Sequence, residues 1–270
     1  MRAADYDFLS SFLMQSSGLA LGSGKEYLIE SRLSPLSQSM GYRDFDQLLF
    51  ELRRGENKQL SQAVTEAMTT NETLFFRDKT PFEDLKLRLL PPIIESRANE
   101  RRLRIWSAAC STGQEPYSLA ILLKESFPIL ANWQVDIIAT DIAQSILDRA
   151  QEAVYSQFEV QRGLPIQYLV KYFDQHPRGW QVKESLRKMV RFQKLNLLEN
   201  FAGIGTLDLI LCRNVLIYFD APTKKQILDR MHGMLRPQGY LMLGAAESVL
   251  GICERFSRFR ECTSAVYLPS

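Results

Sequence analysis

The sequence predicts an α/β protein: a doubly wound sheet, preceded by a small all-helical domain and interrupted by a small antiparallel β insertion. Residues 1 to about 70 carry helical stripes, and short apolar runs alternate with helical segments after Arg101. Such alternation is typical of a parallel sheet. Residues 155–195 break it with turn residues and basic charge. We therefore expect a helical domain over 1–75 and a sheet domain over 76–270 that contains the insertion.

The N-terminal domain is predicted from apolar residues spaced as on one helix face. The two stripes are Phe45, Leu48, Leu49 and Leu52, and then Leu60, Val64 and Met68. The stretch TPFE at residues 80–83 looks like a capping box with proline at the first helical position, so a further helix should begin there.

Strands and helices then alternate along the chain. The predicted strands are 103–109, 135–140, 207–212 and 240–244. The predicted helices are 115–127, 143–154 and 222–235, the last with Asp220 as its N-cap. The tail, 256–268, has no helical stripe and should form a closing antiparallel hairpin.

The composition disfavours several function classes. The 270 residues carry a net charge of only +2, so the whole chain has no nucleic-acid signature. The four cysteines form no CxxC pair and the two histidines lie in unrelated contexts, so we expect no metal site. The motifs GxSxG, HExxH and the P-loop are missing, which disfavours common hydrolases and NTPases. Because we find neither a secretory signal nor a membrane-spanning apolar run, we expect a soluble protein of the cytoplasm.

Basic charge is concentrated in the insertion. Residues 155–195 hold eight Lys and Arg against three Asp and Glu, whereas residues 1–70 hold seven against nine. A solvated surface loop is the ordinary explanation of such a run. The alternative is a surface that meets an acidic partner.

Three segments should meet at the carboxyl edge of the sheet, where ligands bind in open α/β proteins. They are the small-residue turn 107–115, then Asp141, whose carboxylate can accept hydrogen bonds from both ribose hydroxyls, and then Arg213 with Asn214. Alone, Asp141 could be a helix N-cap and Arg213 a structural ion pair. Because the turn lacks GxGxxG, the three together favour a nucleoside without phosphates, such as S-adenosylmethionine (SAM).

Longer motifs make the chain similar to a known family. They are TNETLFFR (70–77), WSAACSTGQEPYS (106–118), ATDI (139–142), NLL (196–198), CRNVLIYFD (212–220) and LRPQG (235–239). From near residue 5 to the C-terminus, the chain resembles the CheR family of chemotaxis receptor methyltransferases. The resemblance implies the SAM methyltransferase fold, with SAM as cofactor and S-adenosylhomocysteine as product.

The resemblance also implies roles for individual residues. Contacts to SAM would come from Asn71, Thr73 and Arg77, from Glu115 and Asp141 at the methionine amino group and the ribose, from Asn196 and Leu197 beside the adenine, and from Arg213 and Asn214 at the methyl end. Arg77 and Tyr218 would orient the substrate, a catalytic role. For Tyr218 the ordinary alternative is a core aromatic at a strand end.

The implied reaction is methyl transfer to glutamate side chains on the cytoplasmic helices of a chemoreceptor, for chemotaxis adaptation. A glutamate carboxylate is ionised at pH 7, so no general base is required. Two other interpretations stay open: a SAM methyltransferase for another protein or a small molecule, and a SAM-binding regulatory module without turnover. Arg77 and Tyr218 argue against the last, because a pure sensor needs neither.

Partner recognition departs from the family in one place. Family members typically carry an arginine-rich helix toward the receptor, but residues 30–40 here keep only Arg32 and contain Pro35. A tethering peptide at the receptor C-terminus would bind by pairing with the edge of the inserted sheet, beside the turn 173–182. Because this turn is short and has the single glycine Gly179, we expect no requirement for such a peptide. Recruitment to membrane receptor arrays is also expected.

Overall fold

The computed structural model, which describes residues 1–22 and 24–270, divides into two units. The first comprises Met1–Thr70 together with Tyr218–Asp220, and the second comprises Asn71–Ile217 and Ala221–Ser270. The predicted boundary at residue 75 lies five residues beyond the first break between the units. Each unit has its own apolar core.

The first unit is helical, as predicted. Its helices are α1 (Ala3–Ser17), α2 (Glu26–Ser39), α3 (Phe45–Arg54) and α4 (Lys58–Met68). The leucines of the α3 stripe and all three residues of the α4 stripe are buried. Asp44 and Asn57 cap these two helices by accepting hydrogen bonds from the main-chain N–H groups of Gln47 and Leu60.

The second unit alternates helices and strands. Its helices are α5 (Thr80–Asp84), α6 (Leu90–Ser96), α7 (Gln114–Ser126), α8 (Gln144–Glu152), α9 (Gln157–Gln161), α10 (Ile166–Tyr172), α11 (Glu184–Arg187) and α12 (Ala221–His232). Its strands are β1 (Arg102–Ala108), β2 (Gln134–Asp141), β3 (Val154–Tyr155), β4 (Phe173–His176), β5 (Gly179–Val182), β6 (Val190–Lys194), β7 (Leu207–Cys212), β8 (Leu235–Leu243), β9 (Phe256–Arg258) and β10 (Val266–Pro269). A π-helical turn, Leu85–Leu89, joins α5 to α6.

Seven strands form the large sheet in the order β6-β2-β1-β7-β8-β10-β9. The chain winds outward from β1 to β2 and β6, and then returns to the other side of β1 for β7 and β8. These five strands are parallel, and β10 and β9 close the sheet as antiparallel strands. The predicted doubly wound sheet and the predicted tail hairpin are confirmed.

A three-stranded antiparallel sheet, in the order β3-β5-β4, is inserted between α8 and β6. It is accompanied by α9, α10 and α11, so much of the predicted insertion is helical. The last strand in the predicted range 155–195 is β6, which pairs in parallel with β2 and belongs to the large sheet.

The predicted capping box at 80–83 is wrong, although a helix does begin there. Thr80 is the first residue of α5, the N-cap is Lys79, and no side chain caps the helix by a hydrogen bond. Lys79 has a left-handed φ of 52°. The segment before the helix therefore turns through its backbone rather than through a threonine cap.

Candidate functional site

The carboxyl ends of β1, β2 and β7 lie side by side in the large sheet. In the parallel register, Ala108 of β1 is opposite Thr140 of β2 and Cys212 of β7. The next residues along each strand are therefore the start of the turn, Asp141 and Arg213. The predicted meeting of these three segments at one edge is confirmed.

The turn after β1 is held by Asp141. One carboxylate oxygen accepts a hydrogen bond from the Ser111 main-chain N–H at 2.9 Å, and the other accepts from the Ala143 N–H at 3.1 Å. The N-cap of α8 is Ala143, so the alternative that Asp141 caps this helix is wrong. Asp141 is only 6% exposed, and its carboxylate fixes the turn in addition to any contact with a ligand.

The same turn follows an unusual backbone path. Ala109, Ser111 and Gly113 all have left-handed φ angles, of 57°, 51° and 93°. A Cβ on Gly113 would lie 3.0 Å from the hydroxyl of Tyr155 and 3.1 Å from the Ala150 side chain. Glycine is therefore required both by the left-handed φ and by the lack of space for a side chain. The left-handed path of the turn is therefore fixed by close packing of Tyr155 and Ala150 against Gly113.

Tyr155, the last residue of β3, supports this turn from the insertion. Its hydroxyl donates to the Thr112 carbonyl at 2.7 Å, and its ring is packed edge-on against Phe75. Tyr155 is fully buried, and burial raises its pKa well above the usual value. The hydroxyl is therefore a fixed hydrogen-bond donor at neutral pH.

Glu115, in the first turn of α7, is connected to Arg213. Its carboxylate accepts from the Ser107 hydroxyl at 2.7 Å and from the Arg213 guanidinium at 2.9 Å. Arg213 also donates to Asp78 at 2.8 Å and to the Arg77 carbonyl at 3.0 Å, and its side chain is 1% exposed. The predicted alternative for Arg213, a structural ion pair, is therefore confirmed for this side chain.

The segment that enters the second unit crosses the same edge. The Asn71 carbonyl accepts from the Ser111 hydroxyl at 2.7 Å, which places Asn71 beside the turn, and Thr73 is half-buried. Arg77 is half-buried too, and its guanidinium donates to the Glu72 carbonyl at 3.0 Å. Among the described residues, no carboxylate pairs with Arg77.

Asn196 and Leu197 follow β6, the neighbour of β2. The Leu195 N–H donates to the Asp141 carbonyl at 2.9 Å, which brings this segment to the same edge. The Asn196 side chain accepts from the Leu198 N–H at 3.0 Å, and Leu197 is buried.

Asn214 follows Arg213 in a left-handed conformation, with a φ of 60°. Its main-chain N–H donates to Glu247 at 2.7 Å. Sequence reasoning missed Glu247, although a carboxylate three residues after Gly244, the glycine that follows β8, was a visible signal.

Tyr218 belongs to the first unit by its packing, and its main-chain carbonyl accepts from the Ala20 N–H at 2.9 Å. The side chain is half-buried. Its predicted catalytic role stays a prediction.

Two thiols flank the strand ends. Cys110 and Cys212 are fully buried, and burial raises the pKa of both well above the usual value. Both are therefore protonated at neutral pH and do not act as nucleophiles or bases.

Within residues 1–22 and 24–270, no group of three or more His, Cys, Asp and Glu side chains is arranged to hold a metal ion. Over the same residues, no helix has the length and apolar character needed to span a membrane.

Comparison with known proteins gives consistent matches over nearly the full chain. Residues 71–265 match the family model described as CheR methyltransferase, SAM binding domain, and residues 4–69 match CheR methyltransferase, all-alpha domain. Chemotaxis protein methyltransferase 1 of Pseudomonas aeruginosa is 42% identical, over 98% of this chain and 97% of its own length. The chemotaxis protein methyltransferase of Vibrio anguillarum is 41% identical, over 97% and 96%.

Proposed function

The chain belongs to the CheR methyltransferase family, and from that premise we propose that it transfers the methyl group of SAM to glutamate side chains of a chemoreceptor cytoplasmic domain. The similar proteins of Pseudomonas aeruginosa and Vibrio anguillarum are both named chemotaxis methyltransferases, which supports this substrate. The acceptor atom is then a carboxylate oxygen, and the product is a methyl ester.

The residues at the carboxyl edge fit SAM as the cofactor. Asp141 offers a carboxylate for ribose hydroxyls beside the small-residue turn that follows β1. Arg213 is neutralised by Glu115 and Asp78, so this cation is not free to hold a phosphate. The remaining proposed contacts are Asn71, Thr73, Asn196, Leu197 and Asn214.

One observation supports the carboxylate acceptor most strongly: Arg77 has no carboxylate partner among the described residues, whereas Arg213, on the same edge, has two. The planar guanidinium of arginine matches a carboxylate through paired N–H donors. Of these two arginines, Arg77 is therefore the one available to bind a substrate carboxylate.

The proposed mechanism is direct displacement. Bound SAM supplies a methyl group on a positively charged sulfur. Arg77 orients the incoming glutamate carboxylate, and Tyr218 donates a further hydrogen bond to it. Because a glutamate side chain is ionised at pH 7, the chain needs no base, which agrees with the protonated state of Cys110 and Cys212. Catalysis rests on alignment of the reacting atoms.

Recognition of the receptor is proposed to use the insertion rather than α2. Arg32, the arginine retained on α2, donates to the carbonyls of Met68 and Thr69 and to the hydroxyl of Thr70. It secures the end of α4 and is not free to meet a partner. The exposed basic side chains of the insertion then supply the positive charge, which also favours recruitment to receptor arrays. This charge is reduced by ion pairs within the chain, formed by Arg162, Lys171, Arg178, Lys183 and Lys188.

We further propose that no receptor tail peptide is required. The strands β4 and β5 are joined by only Pro177 and Arg178. Gly179 has a structural explanation of its own, since a Cβ there would lie 2.2 Å from the Tyr155 carbonyl. Gly179 allows β3 to pack closely against β5. It is not part of a long, flexible loop that would let a peptide pair with the edge of the small sheet.

The experiment is incubation of the full chain with methyl-labelled SAM and purified receptor cytoplasmic fragments. We expect label on the fragment that mild base releases as methanol, because carboxyl methyl esters hydrolyse readily. A fragment with its acceptor glutamates changed to glutamine is the matched control and should stay unlabelled. Base-stable label, or equal label on the glutamine fragment, would exclude glutamate esterification. Loss of activity on a tail-deleted receptor would exclude tail independence.

A further inference from the structure

Glu247 is a buried carboxylate that contacts main chain rather than cations. It is 7% exposed and accepts hydrogen bonds from the N–H groups of Asn214 at 2.7 Å, Val215 at 2.9 Å, Ile217 at 3.3 Å and Gly244 at 2.7 Å. Over the described residues, no lysine or arginine forms an ion pair with it. Four N–H donors satisfy the charge in place of a counter-ion.

The segments that Glu247 joins are forced close together. A Cβ on Gly244 would lie 2.7 Å from the Glu247 carboxylate and 2.9 Å from the Asn214 main-chain nitrogen. Glycine at 244 therefore lets the end of β8 approach the loop after β7. In that loop Asn214 keeps its left-handed φ because Glu247 binds the N–H groups on either side of its Cα.

The loop held in this way carries residues assigned to the reaction. Arg213 and Asn214 begin it, and Tyr218 follows Ile217 directly in the chain. We propose that Glu247 is a positioning residue for methyl transfer: its carboxylate sets the main-chain path of 214–217 and so the placement of the groups that meet the methyl end of SAM and the substrate. The inference rests on the proposed function where it is tested by the rate of methyl transfer. Its test by the affinity for S-adenosylhomocysteine does not depend on the receptor substrate.

Glutamine is the informative replacement, because it has the same shape. A carboxylate accepts at both oxygens, whereas a carboxamide directs an NH₂ group at two of the four N–H donors. Glu247→Gln should therefore displace part of the loop while the fold around it persists. Misplacement of reacting groups by about 1 Å can slow transfer by about a hundredfold.

Asp208→Asn is the matched control at the opposite edge of the sheet. Asp208 is 2% exposed and accepts from the Arg104 N–H at 2.8 Å and from the Arg97 guanidinium at 2.9 Å. It has no part in the candidate site. Each substitution removes one buried negative charge, satisfied by main-chain donors at Glu247 and by main-chain and guanidinium donors at Asp208, so both should lower the unfolding midpoint.

The test measures kcat and KM for methyl transfer at saturating SAM, together with S-adenosylhomocysteine affinity by calorimetry. For Glu247→Gln we expect kcat to fall about tenfold to a hundredfold and the affinity to fall severalfold. Glu247→Asp, which keeps an acceptor-only group, should recover part of kcat. Asp208→Asn should keep both quantities within about twofold of the unchanged enzyme.

A purely structural role would make Glu247→Gln resemble Asp208→Asn in kcat and in affinity, and that result would overturn the proposal. If Glu247→Gln does not fold, Glu247→Asp is compared with Asp208→Asn instead. The kcat of Glu247→Asp should still be at least about threefold below that of the unchanged enzyme. If no receptor fragment is methylated even by the unchanged enzyme, the proposed function fails, while the calorimetric comparison still tests Glu247.

Discussion

The two edges of the large sheet both bury carboxylates, but they satisfy them differently. At the amino edge, Asp208 is held mainly by guanidinium groups, those of Arg97 and Arg236. At the carboxyl edge, Asp141 and Glu247 bind main-chain N–H groups. The carboxyl edge also holds the ion pairs of Arg213 with Glu115 and Asp78, so the two edges differ in how Asp141 and Glu247 hold main-chain segments in place.

The backbone differs in the same way. Among the described residues other than glycine, left-handed φ angles occur at Phe76, Asp78, Lys79, Ala109, Ser111 and Asn214, in segments that lead to the carboxyl edge, but also at Arg101 just before β1 and at Ala153 after α8. Each such conformation costs about 1–2 kcal/mol outside glycine. Strain of this kind persists where the surroundings over-determine it, and it concentrates at functional sites. The comparison therefore separates the edge around Asp208 from the edge at which we propose that the cofactor binds.

Gly113→Ala should produce the largest effect, because it breaks the carboxyl edge directly. The added methyl meets Tyr155 and Ala150 and requires a left-handed alanine, at a combined cost of about 2–4 kcal/mol. We expect S-adenosylhomocysteine affinity, measured by calorimetry, to fall at least about tenfold. Gly251→Ala is the control, with a φ of 72° and open space around its Cβ, and its affinity should be unchanged. Equal affinity in the two variants would remove the turn from the cofactor site.

Tyr218→Phe should reduce methyl transfer about tenfold while SAM affinity changes little, because the hydroxyl is assigned to the substrate carboxylate. Steady-state kinetics together with a separate SAM titration measure the two effects. Equal losses in both, or full activity, would contradict the assignment and favour the core-aromatic alternative.

Tyr155→Phe should have a smaller effect, since it removes a single hydrogen bond from below the turn. The loss of the bond to the Thr112 carbonyl should cost about 1 kcal/mol of unfolding free energy and weaken S-adenosylhomocysteine severalfold. Tyr117→Phe is a matched control, because its buried hydroxyl donates at 2.9 Å to the Ala150 carbonyl in α8 instead. If both variants lose the same affinity, the insertion does not support the turn specifically.

Reversal of Lys183, Arg187 and Lys188 to glutamate should have the smallest effect, a severalfold rise in KM for the receptor with SAM affinity unchanged. The effect is small because two of these lysines already pair with carboxylates of the insertion. The Lys183 Nζ lies 3.7 Å from an Asp174 carboxylate oxygen, and the Lys188 Nζ lies 2.9 Å from a Glu184 carboxylate oxygen. Raised salt should remove the difference from the unchanged enzyme. Unaltered receptor kinetics at low salt would contradict a role of the insertion in receptor binding and favour the alternative of a solvated surface loop.

Much of the carboxyl edge could be predicted because parallel strands share an edge. An apolar strand followed by Asp141 or Arg213 is visible in the sequence, and the register then brings these residues together. The partners of Arg213 could not be predicted, because Asp78 lies 135 residues away and meets it only through a left-handed turn. Glu247 was missed for the same reason: its partners follow a different strand.

The amino edge and the insertion were less predictable. Val190–Lys194 mixes apolar residues with Arg191, Gln193 and Lys194, like a surface strand, and sequence alone did not show that it pairs with β2. The arginines around Asp208 gave no motif, since ion pairs between distant side chains have no fixed spacing.

The most direct test of the difference between the edges is calorimetric titration of S-adenosylhomocysteine into folded Asp141→Ala and Asp208→Asn. Loss of the charged acceptor for the ribose hydroxyls should weaken the binding free energy by about 1.5–3 kcal/mol. We therefore expect affinity to fall about tenfold to a hundredfold for Asp141→Ala and to stay unchanged for Asp208→Asn. Unchanged affinity in folded Asp141→Ala, or equal losses in the two variants, would contradict the assignment of the cofactor to the carboxyl edge.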